Sequence, residues 1–160
     1  MWYNVSNEYT VYLLYFYGDV MIVTFCGHSM VTGKEKLSKK LSETIEELIN
    51  GGADTFYLGG YGDFDILAAR EVKRSAMKHA NIVSILVLPY LDHKYNKELY
   101  DETVYPDLES IPKRFAILKR NRWMIDNADI VVSYVEHDYG GAAKTLEYAK
   151  KRGKRVINLV

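Results

Sequence analysis

The sequence predicts an α/β fold: a doubly wound, Rossmann-like sheet of five mainly parallel strands with helices on both faces. From Met21 onward, short apolar runs rich in β-branched residues alternate with longer segments of helical periodicity. This alternation is typical of βαβ units, whose strands pair in parallel. A length of 160 residues is also close to that of one domain. We therefore expect an N-terminal extension over 1–20 and one Rossmann-like domain over 21–160.

The five predicted strands are the apolar runs that are too short for helices. They cover 21–26, 55–58, 82–88, 130–135 and 156–160. Apolar residues recur every three or four positions between the first two strands, and Gly51-Gly52 ends that helix. Further helices are predicted over 64–79, 94–100, 113–127 and 142–152. The segment 100–112 is long for a connection and carries two prolines, so we expect a flap there.

Charge and cysteine content exclude several classes of protein. The chain has 21 basic and 21 acidic residues, so no chain-wide basic field attracts nucleic acid or an anionic membrane. Handling of single-stranded DNA is therefore the least favoured function. Cys26 is the only cysteine, which excludes an internal disulfide and favours the cytoplasm. The four histidines lack metal-ligand spacing, and we predict neither a metal nor a cofactor.

Residues 1–20 hold seven aromatic residues and no Lys or Arg. The longest apolar run, 11–17, is too short to cross a bilayer, and no basic region precedes it as in a signal peptide. Two interpretations stay open. Residues 18–21 can be encoded by a ribosome-binding sequence followed by a start codon, which makes Met21 the natural start. Alternatively, residues 9–17 form an additional strand.

Polar loops follow the first, second and fourth predicted strands. The carboxyl ends of parallel strands meet at one edge of the sheet, where helix N-termini and loop amides converge on ligands. The candidate ligand-binding residues in these loops are Gly27 and His28, then Gly59, Gly60 and Asp65, and finally Gly140, Gly141 and Thr145. We expect these residues to surround one site.

The pair Gly140-Gly141 gives the strongest of these local signals. Bare amides before a helix, with the Thr145 hydroxyl one turn later, can hold a phosphate at the positive end of the helix dipole. A plain turn is the alternative, and the pattern is neither a Walker A loop nor a GxGxxG fingerprint. Asp65 could accept hydrogen bonds from ribose hydroxyls, or Asp63 or Asp65 could simply cap a helix. His28 could stack on a base or move a proton, although a loop histidine is more often structural.

Two arginines on the helix before the fourth strand are expected to differ in role. Arg122 is placed to pair with Asp126 at i, i+4, which is a surface bridge of small energy. Arg120 is predicted to lie at the inner end of the helix. There a guanidinium could bind a phosphate through two parallel hydrogen bonds.

Five segments, in this order and spacing, resemble one protein family. They are TFCGHS at 24–29, GGYGDFDILAARE at 59–71, VLPY at 87–90, RNRWMIDNADIVVSY at 120–134 and GGAAKTLEYAKKRGKRVI at 140–157. From Met21 on, the chain is similar to the YpsA-like branch of the SLOG superfamily, which also contains the Lonely Guy (LOG) phosphoribohydrolases and the DprA/Smf proteins. The resemblance implies a bacterial protein that binds a nucleotide or a nucleotide-derived ligand as a sensor or regulatory module. It also implies a possible homo-oligomer.

The LOG enzymes suggest the alternative, an N-glycoside hydrolase acting on nucleoside monophosphates. Their pattern RKxxM followed by PGGxGTxxE matches here at Arg120 and, with a loop one residue longer, at Thr145. Tyr148 then stands where the enzymes have their catalytic Glu, and a phenol cannot replace that carboxylate. Glu147 is one position early, about 100° around the helix. The candidate catalytic residues are therefore His28, Asp65 and Glu147.

Overall fold

Residues 20–160, described by a computed structural model, form six strands and four α-helices. The strands are β1 (Met21–Gly27), β2 (Ala53–Leu58), β3 (Val83–Val87), β4 (Glu102–Val104), β5 (Ile130–Tyr134) and β6 (Arg155–Asn158). The helices are α1 (Lys34–Asn50), α2 (Asp63–Ala76), α3 (Lys113–Asp126) and α4 (Gly140–Lys151), with a 3-10 turn at Lys97–Leu99.

The strands form one sheet in the order β4-β3-β2-β1-β5-β6, and every neighbouring pair is parallel. The chain builds outward from β1 to β4 and then returns to the other side of β1 with β5 and β6. The strand order therefore reverses between β1 and β5. At such a point the connections leave in opposite directions and open a crevice outside the carboxyl ends of the strands.

Helices cover both faces of this sheet, as predicted. On one face, α1 and α2 bury apolar side chains such as Leu41 and Phe64 against Phe25 and Phe56 of the sheet. On the other face, α4 packs on a smaller cluster that contains Cys26 and Ile125. The doubly wound, Rossmann-like α/β fold is thus confirmed, with a sixth strand added to the five predicted.

The additional strand lies in the segment that was predicted to be a flap. The carboxylate of Asp101 accepts hydrogen bonds from the Ser84 amide and hydroxyl at 2.9 and 2.7 Å, and it pairs with Lys73 at 3.1 Å. These bonds hold β4 against β3 over 102–104. The flap prediction is therefore wrong for these residues, because side chains outside the segment determine its position. The predicted helix over 94–100 is only the 3-10 turn.

The predictions for the N-terminal extension fall on residues 1–19, outside the described residues. None of the helices within 20–160 combines the length and the apolar character that crossing a bilayer requires.

Candidate functional site

A cavity of about 440 Å³ lies at the carboxyl ends of β1 and β5, where the strand order reverses. Its wall comes from the loop after β1, the start of α2, one side of α3 and the start of α4. Seven of the candidate residues line it: Gly27, His28, Asp65, Arg120, Gly140, Gly141 and Thr145. The expectation that these loops surround one site is therefore consistent with their positions.

The N-terminus of α4 forms one side of the cavity. Tyr139 precedes the helix without a capping side-chain hydrogen bond, and the first turn contains no acidic residue. A Cβ atom at Gly140 or Gly141 would meet open space, as far as residues 20–160 are concerned. The first amides of the helix have no intrahelical acceptor, and the helix dipole makes this end positive. The helix start is therefore open to an anion.

Arg120 lies at the bottom of the cavity and is only 1% exposed. Its Nη1 donates to the carbonyl oxygens of Gly59 and Val87, and its Nε donates to Asn121 Oδ1 at 2.8 Å. All three acceptors are neutral oxygens. Burial lowers the pKa of Arg120, and the nearby Asp65 carboxylate, which takes part in none of these three bonds, acts in the opposite direction. The predicted two-bond clamp needs correction, because Nη1 and Nε are already engaged. Nη2 is the guanidinium nitrogen that takes part in none of these three bonds.

Asp65 lines the cavity near Arg120, and its carboxylate accepts a hydrogen bond from the Tyr61 amide at 3.2 Å. Burial raises the pKa of Asp65 to about 6, although the charge of Arg120 and the Tyr61 bond act in the opposite direction. Asp65 does not cap α2. Neither does Asp63, whose carboxylate instead accepts from the Val31 amide at 3.1 Å and pairs with Lys34 at 2.9 Å.

Gly59 and Gly60 lie beneath the cavity rather than in its wall. A Cβ atom at Gly59 would stand 2.6 Å from Asp65 Oδ2 and 3.2 Å from Arg120 Nη2. Gly60 has a φ of +66° and would place a Cβ atom 2.7 Å from the Leu86 side chain. The two glycines therefore allow the charged pair and the core to approach the backbone.

His28 stands in the wall as the first of three stacked rings. Its ring lies 3.9 Å from that of His137, which lies 3.9 Å from that of Tyr139. The Glu136 amide donates to His28 Nε2 at 2.9 Å, so the proton of the neutral ring is on Nδ1. Burial and His137 lower the pKa of His28, against the opposing effect of Glu136. His28 is therefore neutral at pH 7.

Glu147, the third candidate catalytic residue, lies outside the wall of the cavity. Its side chain is 64% exposed and pairs with Lys151 at 2.8 Å, which lowers the pKa of Glu147. Tyr148 is also turned away, because its hydroxyl donates to Asp126 at 2.9 Å. The structure thus brings His28 and Asp65 to the cavity but not Glu147.

Two details of α3 and α4 differ from expectation. Asp126 pairs with Arg152 at 2.8 Å rather than with Arg122, which lies over the Tyr148 ring. The Thr145 hydroxyl donates to the Gly141 carbonyl at 2.9 Å, so it must rotate before it can donate to a phosphate. A back-bond to the preceding turn is common for threonine in helices.

Several wall residues were not found from the sequence. Tyr61 and Tyr139 are 58% and 69% exposed, and Met30 beside them is 84% exposed. Exposed aromatic side chains around a cavity are a ligand-binding signal, but the chain has 14 tyrosines and the sequence does not distinguish these two. Within 20–160, no three His, Cys, Asp or Glu side chains are grouped so that they could hold a metal ion.

The shifted pKa of Asp65 predicts that stability falls as pH rises between about 4 and 6. Folded Asp65 keeps its proton up to about pH 6, whereas the unfolded chain releases it near 3.8. The folded state then binds more protons in this window, so its stability falls by roughly 2–3 kcal/mol as Asp65 ionises. We expect Asp65→Asn to raise the free energy of unfolding at pH 7, measured by urea denaturation.

Asp63→Asn is the matched control on the same helix turn, with the opposite sign. Lys34 and the Val31 amide lower the pKa of Asp63, so its contribution is present above the unfolded pKa and lost in acid. Asp63→Asn should therefore lower stability at pH 7. A destabilised Asp65→Asn variant at pH 7 would contradict the assignment of Asp65 as a carboxyl group whose ionised form is disfavoured in the folded protein.

No family model and no curated protein matches the sequence. The protein TM1055 is similar in structure, with a TM-score of 0.61 and 22% identity over 86% of this chain and 72% of that one. The DNA processing protein A of Helicobacter pylori, described for its single-stranded DNA binding mode, gives a TM-score of 0.61 and 20% identity over 86% of this chain.

This chain spans only 64% of the length of that DNA processing protein. The Moco carrier protein of Chlamydomonas reinhardtii gives a TM-score of 0.57 and 20% identity over 88% of this chain and 76% of that one. At such identities the likeness concerns the fold alone. The chain therefore has the Rossmann-like fold that these proteins share.

Proposed function

We propose that this protein binds a nucleotide or a nucleotide-derived ligand in the cavity and acts as a sensor or regulatory module of the YpsA-like branch of the SLOG superfamily. The phosphate binds at the start of α4, beside Arg120. The ribose hydroxyls face Asp65, and the base lies near the stacked rings of His28, His137 and Tyr139. The single, buried Cys26 favours the reducing cytoplasm as its location.

The observation that carries this proposal is the buried positive charge of Arg120 at the bottom of the cavity. Its hydrogen bonds all go to neutral oxygens, and the nearby Asp65 carboxylate offsets the charge only in part. A guanidinium that is 1% exposed and bonded only to neutral oxygens is costly to bury. A phosphate near Nη2 would compensate that charge while accepting bonds from the free amides of α4. Arg120 and the first residues of α4, which carry these donors, line the same cavity.

Asp65 and the stacked rings supply the rest of a nucleotide site. An ionised carboxylate accepts hydrogen bonds from vicinal hydroxyls, and among residues 20–160 the Asp65 carboxylate accepts a hydrogen bond from the Tyr61 amide alone. Exposed rings such as Tyr61 and Tyr139 offer flat surfaces on which a base can stack. A sugar phosphate without a base would use only part of this wall.

Two measurements test the proposal. Denaturing the purified protein and analysing the supernatant by mass spectrometry should reveal a nucleotide derivative. Calorimetric titration should then show AMP or ADP-ribose binding at least about tenfold more tightly than adenosine, because a charge-assisted phosphate contact is worth more than 1.4 kcal/mol. Equal affinity for AMP and adenosine would overturn the assignment of the phosphate position.

The hydrolase alternative is favoured by the position of Asp65 in the wall of the cavity, where burial raises its pKa to about 6. A carboxyl group that keeps its proton near neutrality can act as a general acid on a leaving base. With Glu147 outside the wall, the reaction would depend on Asp65, with His28 nearby. Incubation with AMP should then release adenine at a rate that falls above pH 6, and Asp65→Asn should abolish release while AMP still binds. Without release by the unmodified protein, the module is a binding protein.

A further inference from the structure

The two helical layers carry similar numbers of basic residues, but one of them has few acidic residues and therefore a net positive charge. Helix α3 carries five basic residues and one acidic residue, and α4 carries three and one. On the opposite face of the sheet, α1 carries four of each and α2 three of each. A chain with zero net charge therefore has one layer with a formal charge of +6. Nucleic-acid binding was disfavoured above because the net charge of the chain is zero. A zero net charge does not show that the two helical layers differ in charge.

The exposed part of this layer forms a stripe along the junction of α3 and α4. Its members, called the basic stripe below, are the exposed Phe115, Lys119 and Arg122 of α3, the exposed Lys144 and half-buried Tyr148 of α4, and the exposed Arg152 that follows α4. The spacing of three or four residues places each set on one side of its helix. The two sides adjoin, because Tyr148 donates to Asp126 of α3 at 2.9 Å.

The acidic residue at this junction neutralises one cation of the stripe, Arg152, and leaves the others. Asp126 already accepts from Tyr148 and pairs with Arg152 at 2.8 Å. Lys119 and Lys144 are exposed and belong to none of the ion pairs found among residues 20–160. Their charges are therefore available to an anionic partner.

Aromatic rings accompany the cations on this helix. Each of the three cation–π contacts found among the described residues uses a basic residue of α3. Arg114 lies 4.7 Å from the centre of the Phe115 ring, and Arg122 lies 5.1 Å from that of Tyr148. Phe115 is 44% exposed, which leaves ring surface uncovered next to a guanidinium.

We propose that the basic stripe binds single-stranded nucleic acid without sequence preference. Positive charge follows the phosphates of a strand, and exposed rings beside cations stack on its unpaired bases. An acidic peptide would use the charges but not the rings. A symmetric contact with a second copy would place two layers of the same charge against each other. This surface is distinct from the cavity, so the two binding activities are separately testable.

The test uses the full chain and a fluorescein-labelled oligo(dT) of 20 nucleotides, followed by fluorescence anisotropy in 50 mM salt. We expect Lys119→Glu combined with Lys144→Glu to weaken binding at least about tenfold and to reduce the salt slope by about 1.4, which is the value for two phosphate contacts on a single strand. The control combines Lys36→Glu with Lys39→Glu on α1. It makes the same change in net charge on the opposite face and should leave the affinity within twofold.

Phe115→Ala tests the rings separately from the charges. We expect about fivefold weaker binding or more with an unchanged salt slope, because base stacking does not release counterions. Circular dichroism confirms that each variant is folded. The proposal is overturned if the unmodified chain fails to bind the oligonucleotide, or if a 20-base-pair duplex binds as tightly. It is also overturned if the charge reversals on α1 weaken binding as much as those on α3 and α4. It is also overturned if gel filtration shows a dimer that only the α3–α4 charge reversal dissociates.

Discussion

Gly141→Asp should weaken binding of the phosphate ligand by at least about a hundredfold while the domain stays folded. A carboxylate at this position would occupy the open space at the start of α4, where a ligand phosphate is proposed to bind. Repulsion between two charges about 4 Å apart in a partly buried site is worth a few kcal/mol, which corresponds to this loss of affinity. The backbone conformation of Gly141 is open to any residue, and an acidic side chain at a helix start is favourable.

Gly141→Asn is the matched control, since it adds nearly the same volume without the charge. We expect it to retain most of the affinity, and the two variants should unfold at similar urea concentrations. Calorimetric titration with AMP measures both. If Gly141→Asp binds within threefold of the unmodified protein, the anion does not sit at the start of α4.

The fold was predictable where periodicity is strong. Helix α1 is a clear example, because Leu37, Leu41, Ile45 and Leu48 repeat along one face and all are buried. Strand β4 was not predictable from its own residues. Glu102, Thr103 and Val104 lie at a sheet edge, none of them is fully buried, and alternation is too short to detect over three positions. Asp101 holds this segment through Ser84 and Lys73, which are distant in sequence.

The location of the site could be predicted from the sequence, but the directions and partners of its side chains only in part. Strand ends and glycines located the loops, because the topology of a parallel sheet determines where they meet. The direction of a helical side chain depends on its neighbours in space, which the sequence does not give. Lys151 holds Glu147 in solvent, and the carbonyls of Gly59 and Val87 engage the end of Arg120 that was expected to bind phosphate.

Gly27→Ala should destabilise the domain by about 3 kcal/mol, near the upper end for overpacking in a tight core. Gly27 was predicted from the sequence to bind the ligand, but its contacts show that close packing also requires a glycine at this position. A Cβ atom there would collide with the Cγ and Cδ1 atoms of the Phe64 ring. Phe64 belongs to α2 and is fully buried against β1, so its ring cannot move without displacing the core. Urea denaturation measures the loss, and Gly141→Ala, where a Cβ atom meets open space, should not lower stability.

A double-mutant cycle with Phe64 separates the packing role of Gly27 from any role in ligand binding. If the cost of Gly27→Ala comes from the Phe64 ring, then combining it with Phe64→Leu should cost less than the sum of the two single changes, because the smaller side chain leaves room for the methyl group. Additive losses would mean that the ring is not the obstacle. Gly27 also lines the cavity. If its role is packing alone, a folded Gly27→Ala protein should lose affinity for the ligand only where the added methyl group has shifted the loop that carries His28. A folded variant that loses all binding would instead assign Gly27 a direct contact with the ligand.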